Sequence, residues 1–461
     1  MTRRILMVTY AFPPMGGIAV QRPLKFVQHL PRFGWEPMVL TTKDAYSATM
    51  DESLLQAVPA GTRIERIANP LSRLQRASVQ WNGDAPSANA AAGMPPRHGP
   101  RAWLRGGLKA LKSALLIPDE YVWWAISAAR HARSLVQYAG IDCVYTTSGP
   151  NSTHLVGLLL KQWTGVTWIA DFRDPWVGNL HYHHRGLTDA VHRWMERKVM
   201  QRADVLMTVT EAFRDQFVET YPHTREKWQV IRNGADPMDF PAVQRSADDA
   251  APGQRPLTIF YAGILYERRS PEPFLRALAQ AIADGRLSKA DIRVEFAGIF
   301  DYPGKRANAE LVEQLQLQGL VHVHGYLPRT ETLKRMQTAD VLLLIGDTGP
   351  RSSDYVPGKL YEYLFANRPM LALVEEGEAA NLVRQTRAGW VLPPQQVNAM
   401  ADLLVSLVHA HRAGASSTRP TARSSRSTAA WNRRAVLRSA STPQRRPVVG
   451  ILPCCRWNDE Q

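Results

Sequence analysis

The chain has 461 residues, 45% of them hydrophobic and 21% charged, which is ordinary for a globular protein and enough for two to three domains. Three cysteines, Cys143, Cys454 and Cys455, exclude a disulfide framework and lack zinc-ligand spacing, which favours a reducing compartment. The formal net charge of +15 is uneven: ten arginines and no lysine follow His411, against Asp459 and Glu460, so the basicity says little about the folded part.

The run Ile5-Leu6-Met7-Val8 after Arg3-Arg4 is too short for a secretory apolar region and reads as a buried strand. No stretch reaches the roughly 18 apolar residues that span a bilayer. The expectation is a cytoplasmic protein, or one peripheral at the inner face of the plasma membrane. The loop Ala11 to Gly17 follows the first strand. Val20, Leu24, Val27 and Leu30 then share a helical face, and Trp35 to Thr41 is the next strand. This βαβ unit predicts a parallel sheet.

Residues 82–100 carry turn-forming and small residues without a period, predicting a disordered surface loop. In 101–116, Arg101, Arg105, Lys109 and Lys112 flank a stripe of Leu104, Leu108, Leu111 and Leu115. That pattern suits an anionic bilayer surface, and it equally suits leucines packed onto the N-terminal domain. Strands are expected at Cys143–Thr147, Thr167–Ala170, Val205–Thr210 and 229–231, with helices over Thr153–Trp163 and Leu187–Arg202.

Residues 246–256 are rich in Ala, Asp, Pro and Gly and read as a linker. A second βα series starts at Leu257 and ends in a helix with Met400, Leu403, Leu404 and Leu407 on one face. The expected organisation is an N-terminal Rossmann-like domain over 1–245 and a second over 257–410, with ligand in the cleft where strand carboxyl ends gather. From about His411 the chain turns to Arg, Ser, Ala, Thr and Pro, as in GC-rich DNA translated in the wrong frame. An unpacked tail over 411–461 is expected, and weakened activity with it; a native linker-like tail is the alternative.

Four stretches carry chemistry. Gly16-Gly17, between the first strand and helix, lets backbone N–H groups approach a diphosphate, or is simply a tight turn. Asp171-Phe-Arg173-Asp174 ends a strand. It reads either as a structural Arg–Asp pair or as a cleft edge where a carboxylate orients or deprotonates an acceptor hydroxyl. Gly263 precedes Glu267-Arg268-Arg269, where a guanidinium could clamp a diphosphate, or the charges could be merely solvated. In Asp354-Tyr-Val-Pro-Gly-Lys359-Leu-Tyr-Glu362, Lys359 opens a helix, where a cation is disfavoured unless an anionic ligand repairs the conflict. Glu362, one turn on, suits ribose hydroxyls. A frayed helix end with exposed charges is the other reading.

In order, "YAFPPMGGIAVQR", "TTSGPNSTH", "ADFRDPW", "ERKVMQRADVLMTVTEAF", "VIRNGAD", "AGILYERRSPEP" and "VPGKLYEYLFANRPML" resemble family 4 glycosyltransferases of GT-B fold, the bacterial polysaccharide-assembly branch, over about residues 4–408. The resemblance implies a retaining transfer from a nucleotide sugar to a polysaccharide or lipid-linked precursor, with no obligatory metal or other cofactor. Glu362 matches the second glutamate of the family's E-x7-E motif, and Asp354 stands where the first would be, near the donor sugar. Arg269 matches a donor-side arginine; Ser270 replaces the usual lysine, and Lys359 supplies that charge from another loop. Arg173-Asp174 stands where many members carry His-Asp. The candidate catalytic residues are therefore Asp174, Arg173 and Asp354; the donor-binding set is Gly16, Gly17, Arg269, Lys359 and Glu362. A nucleotide-sugar epimerase and a degenerate sugar-nucleotide binder share this architecture. No nucleic-acid partner is expected, since aromatics in the basic tail are confined to Trp431 and Trp457.

Overall fold

A computed structural model describes residues 2–44, 50–71, 116–180, 182–240, 253–302 and 305–414. The expected loop at 82–100, residues 101–115 of the basic–leucine segment, most of the linker and the tail beyond Gly414 lie outside the described residues. The chain divides into two units, the first ending at Arg232 and the second starting at Asn233.

The first unit contains strands β1 (Arg3–Val8), β2 (Trp35–Thr42), β3 (Arg63–Ile67), β4 (Cys143–Thr147), β5 (Thr167–Phe172), β6 (Val205–Thr208) and β7 (Trp228–Val230). Its helices are α1 (Ile18–His29), α2 (Val122–Tyr138), α3 (Thr153–Thr164), α4 (Gly186–Arg202) and α5 (Glu211–Thr220). The strands form one parallel sheet in the order β3-β2-β1-β4-β5-β6-β7. Ile5 to Val8 are all buried, as a central strand covered on both faces requires. The order reverses between β1 and β4, which places the loops after those strands at a topological switch point.

The second unit contains β8 (Leu257–Ala262), β9 (Ile292–Ala297), β10 (Val321–Gly325), β11 (Val341–Ile345), β12 (Met370–Leu373) and β13 (Gly389–Leu392). Its helices are α6 (Glu272–Ala283), α7 (Ala307–Gln314), α8 (Arg329–Thr338), α9 (Lys359–Ala366), α10 (Glu378–Gln385) and α11 (Val397–Arg412). The parallel order is β10-β9-β8-β11-β12-β13, with its switch point between β8 and β11. In β11, Val341, Leu343 and Ile345 join the core on one face and Leu342 and Leu344 the core on the other. An uninterrupted apolar strand is thereby buried on both sides, which is why its sequence shows no alternation.

Three elements lack a sequence signal of their own. β3 (RIERI) is a charged, half-buried edge strand, β13 is a short edge strand, and α2 buries mainly alanines beside Trp124. The boundary between the units also falls earlier than composition indicates. Residues 233–240, expected in the N-terminal domain, pack with the second unit: Asp239 pairs with Arg329, and Phe240 stacks on Phe365 with ring centroids 6.0 Å apart. At the other end, α11 continues past Val408. His411 is buried, its Nε2 2.9 Å from the Arg255 carbonyl oxygen, and Arg412 pairs with Asp291. The packed helix thus includes the first residues assigned to the tail.

Candidate active site

In the first unit the loop after β1, at the switch point, carries Gly16-Gly17, and the end of the nearby strand β5 carries the second predicted motif. Gly17 precedes α1 as its N-cap, at φ 89°, and Gly16 is buried. Arg173, just beyond β5, donates from Nε to the Ser148 carbonyl oxygen (2.8 Å) and from Nη1 to that of Ala19 (2.8 Å). It thereby ties the loops after β4 and β5 to the first turn of α1. Gly149 makes room for it: at φ +82°, a Cβ there would lie 2.6 Å from Arg173 Nη2. Arg173 therefore serves carbonyls, and the expected Arg–Asp pair forms elsewhere. Asp171 is buried and takes a bidentate contact from Arg22, at 2.8 Å from Nε and 3.0 Å from Nη2, with further hydrogen bonds from Tyr145 and Thr147. Burial alone would raise the Asp171 carboxyl, but Arg22 outweighs it and holds it below the usual carboxylate range. Arg22 also donates to the Ile231 carbonyl oxygen (2.9 Å), anchoring the end of the unit. Asp174, by contrast, is exposed just beyond β5.

His154 lies inside the "TTSGPNSTH" stretch. Its Nδ1 is 2.9 Å from Thr146 Oγ1, its Nε2 has no partner among the described residues, and burial pushes its pKa down to about 3, so the ring is neutral.

In the second unit, the loops after β8 and β11 bring Arg269 and Lys359 to one edge. Arg269 Nη2 meets Asp347 Oδ2 at 2.6 Å, across the switch point, while Tyr266 donates to the other carboxylate oxygen. The guanidinium stacks over the Tyr266 ring at 5.1 Å, and its buried Nε has no hydrogen-bond partner among the described residues. Lys359, the first residue of α9, is buried rather than frayed into solvent. Its Nζ donates to Tyr261 Oη at 2.6 Å and lies 3.9 Å from that ring's centroid. Gly263 permits this placement: its φ is +139°, and a Cβ would sit 2.4 Å from Nζ. Burial lowers the Lys359 pKa well below its ordinary value, Arg269 lowers it further, and Asp347 and Glu362 only partly compensate.

Glu362 follows one turn later, with Oε1 2.5 Å from Arg329 Nη1; Arg329 Nη2 reaches Asp239 at 3.0 Å. Asp354 sits in a short 3-10 turn, Ser352–Asp354, where its Oδ1 accepts from Ser353 at 3.2 Å.

The structure thus places Arg269, Lys359 and Glu362 on one edge of the second unit and Gly17 and Arg173 in contacting loops of the first. Sequence reasoning missed Asp347, Tyr261 and Arg329. Arg329 opens α8 just as Lys359 opens α9, so the same anomaly, a cation at a helix start, was there to be read. Asp347 follows a wholly apolar strand, where a carboxylate needs a reason.

The chain matches the Glycosyltransferase Family 4 family over residues 90–238 and the family of glycosyl transferases group 1 over residues 256–410. It is 27% identical over 209 residues to WcaL of Salmonella typhimurium and 25% identical over 211 residues to WcaL of Escherichia coli K12, both named for colanic acid biosynthesis. Those alignments take in 45% and 46% of this chain, so it spans about half the length of the curated relatives it matches, 48% and 49% respectively. Sucrose-phosphate synthase of Thermosynechococcus elongatus superposes with a TM-score of 0.57 at 15% identity, covering 95% of this chain and 97% of its own. Anabaena HepE, solved in complex with UDP, gives 0.55 at 13%, covering 95% and 99%. These solved structures show the fold. With two parallel Rossmann-like units and a glycosyltransferase match in each, the chain belongs to the family 4/group 1 glycosyltransferases of GT-B fold.

Proposed function

We propose that this glycosyltransferase moves a hexosyl-type sugar, with retention, from a nucleotide-sugar donor to a polysaccharide or lipid-linked glycan precursor. The observation that carries the reading is the pair of buried cations at the second unit's switch point. Among the described residues Lys359 meets no carboxylate, and Arg269 keeps a buried N–H without an acceptor. Burying a cation this way is costly unless an anion completes the site. Breaking the sugar–phosphate bond builds negative charge on the departing diphosphate, and cations fixed beforehand stabilise that charge without reorganising. In this reading Arg269 and Lys359 take the charge that a bound metal would otherwise meet, and Glu362 holds ribose hydroxyls. Asp354 contacts the donor sugar, Gly16-Gly17 offers backbone N–H groups, and Asp174, on the loop set by Arg173, orients the acceptor hydroxyl. The polysaccharide-assembly role also draws on the names of the WcaL relatives. Peripheral contact with an anionic bilayer through 101–116 belongs to the same proposal. Among the described residues no helix is long and apolar enough to cross a membrane.

A panel of UDP- and GDP-sugars in thermal shift tests the donor. A nucleotide sugar at a hundredfold excess over its Kd should stabilise the fold by about 2.7 kcal/mol. The matched donor should then be consumed only when a glycan or lipid-linked acceptor is added, with the product keeping the donor's anomeric configuration. Silence across the panel removes the donor reading. Conversion of the sugar without any acceptor would mark an epimerase instead.

A further inference from the structure

Lys359 and Glu362 are three residues apart on α9, the spacing at which opposite charges on a helix ordinarily meet. Among the described residues they form no ion pair. Lys359 turns to the Tyr261 hydroxyl and ring, and Glu362 turns to Arg329 at 2.5 Å. Arg329 comes from a different element, the start of α8, and is itself held from behind by Asp239 at 3.0 Å. Its side chain is 19% exposed, and those of Glu362 and Asp239 are 11% and 20% exposed, so these contacts are only partly screened.

We infer that Arg329 is a positioning residue that draws Glu362 away from Lys359, leaving the cation free for a diphosphate and the carboxylate for a different part of the ligand. Without Arg329, Glu362 still has Lys359 as an oppositely charged neighbour three residues back on α9, close enough to act on its charge. Their pairing would neutralise the one buried ammonium of the edge that has no carboxylate of its own. Asp239 completes the device by satisfying the second face of the guanidinium and fixing its direction. Arg329 touches neither reacting atom nor diphosphate in this role; it acts through Glu362. The inference rests on the reading of Lys359 as a diphosphate ligand.

The test uses inorganic pyrophosphate, which needs no knowledge of base or sugar, and titration calorimetry at low salt on the full chain. Arg329→Ala should weaken pyrophosphate binding by about tenfold or more, the scale of losing a charge-assisted contact. Arg329→Lys, which can still hold one carboxylate, should fall between. The distinguishing arm is a suppressor. Arg329→Ala with Glu362→Gln should bind within about twofold of Glu362→Gln alone, because no carboxylate remains to capture Lys359. Arg329→Ala with Asp239→Asn removes the same net charge at the far side of the guanidinium and should stay weak. A merely structural Arg329 would give no such selective rescue. Wild-type affinity in Arg329→Ala, or equal rescue by Asp239→Asn and Glu362→Gln, overturns the inference. If Lys359→Met binds pyrophosphate as well as the wild type, the diphosphate reading fails first and takes the inference with it. Loss of binding in Lys359→Met but not in Arg329→Ala sinks the inference alone.

Discussion

At the edge of the first unit, Asp171 is buried and surrounded: Arg22 grips it with two N–H groups, and Tyr145 and Thr147 add hydroxyls. At the edge of the second, Lys359 is also buried, yet its partners are a phenol oxygen and a ring face. The first arrangement is complete without a ligand. The second carries uncompensated positive charge, and burial has already depressed its ammonium. Equal depth in a protein therefore does not mean equal purpose. A charge whose desolvation is balanced by the protein itself supports the fold, and one left unbalanced at a loop edge is what the proposed diphosphate site rests on.

The contrast can be broken most forcefully at Asp171. Asp171→Asn leaves Arg22 buried opposite a neutral amide, and should cost about 3–5 kcal/mol in urea unfolding of the first unit. The joint change Arg22→Met with Asp171→Leu should recover most of that loss. A loss below about 1 kcal/mol, the scale of an exposed pair, would show the interaction to be dispensable.

Lys359→Met should do the opposite. Stability holds or rises, since a desolvated cation is removed, while affinity for a nucleoside diphosphate falls about a hundredfold, near 2.7 kcal/mol. The sign of the proton linkage follows from the depressed pKa. An arriving diphosphate raises that depressed pKa, so wherever the pH lies between the free and bound values binding takes up a proton. Calorimetry in buffers of differing ionisation enthalpy should register that uptake in the wild type and lose it in Lys359→Met. Equal proton uptake in both would put the titrating group elsewhere.

Glu196 sharpens the comparison through its pH dependence, a gradual effect at any one pH step. It sits buried on α4, its Oε2 has no partner among the described residues, and burial pushes its pKa up to about 8 from an ordinary value of 4.5. Here the first unit meets the cost of burial by neutrality instead of pairing. With the folded pKa above the unfolded one, the contribution of the carboxylic acid is fully present below pH 4.5 and is lost as pH rises through about 8. Stability should decline across that window by up to about 1.4 kcal/mol per pH unit. Glu196→Gln, neutral throughout, should flatten the slope. An unchanged slope in the variant would assign it to other groups.

Much of this could be read along the chain because it is written locally. Apolar runs such as Val341–Ile345, glycines at strand ends and 3.6-residue periods in the helices specify parallel βα units without reference to anything distant. The placement of Arg269, Lys359 and Glu362 at loop edges followed from the same local signals. Elements without such signals went unread, as with β3, whose Arg-Ile-Glu-Arg-Ile depends on a neighbouring strand for its definition.

What tertiary structure alone decided was the partner of each charge. Asp171 lies 149 residues from Arg22, and Arg329 lies 90 from Asp239 and 33 from Glu362. Local sequence places a charge on a helix start or a strand end, and that position determines what an isolated charge would prefer. Which charges meet, and so whether one is spent on the fold or left for a ligand, depends on the order of strands across each sheet. That order is fixed by the packing of whole βα units, at sequence separations no periodicity reports.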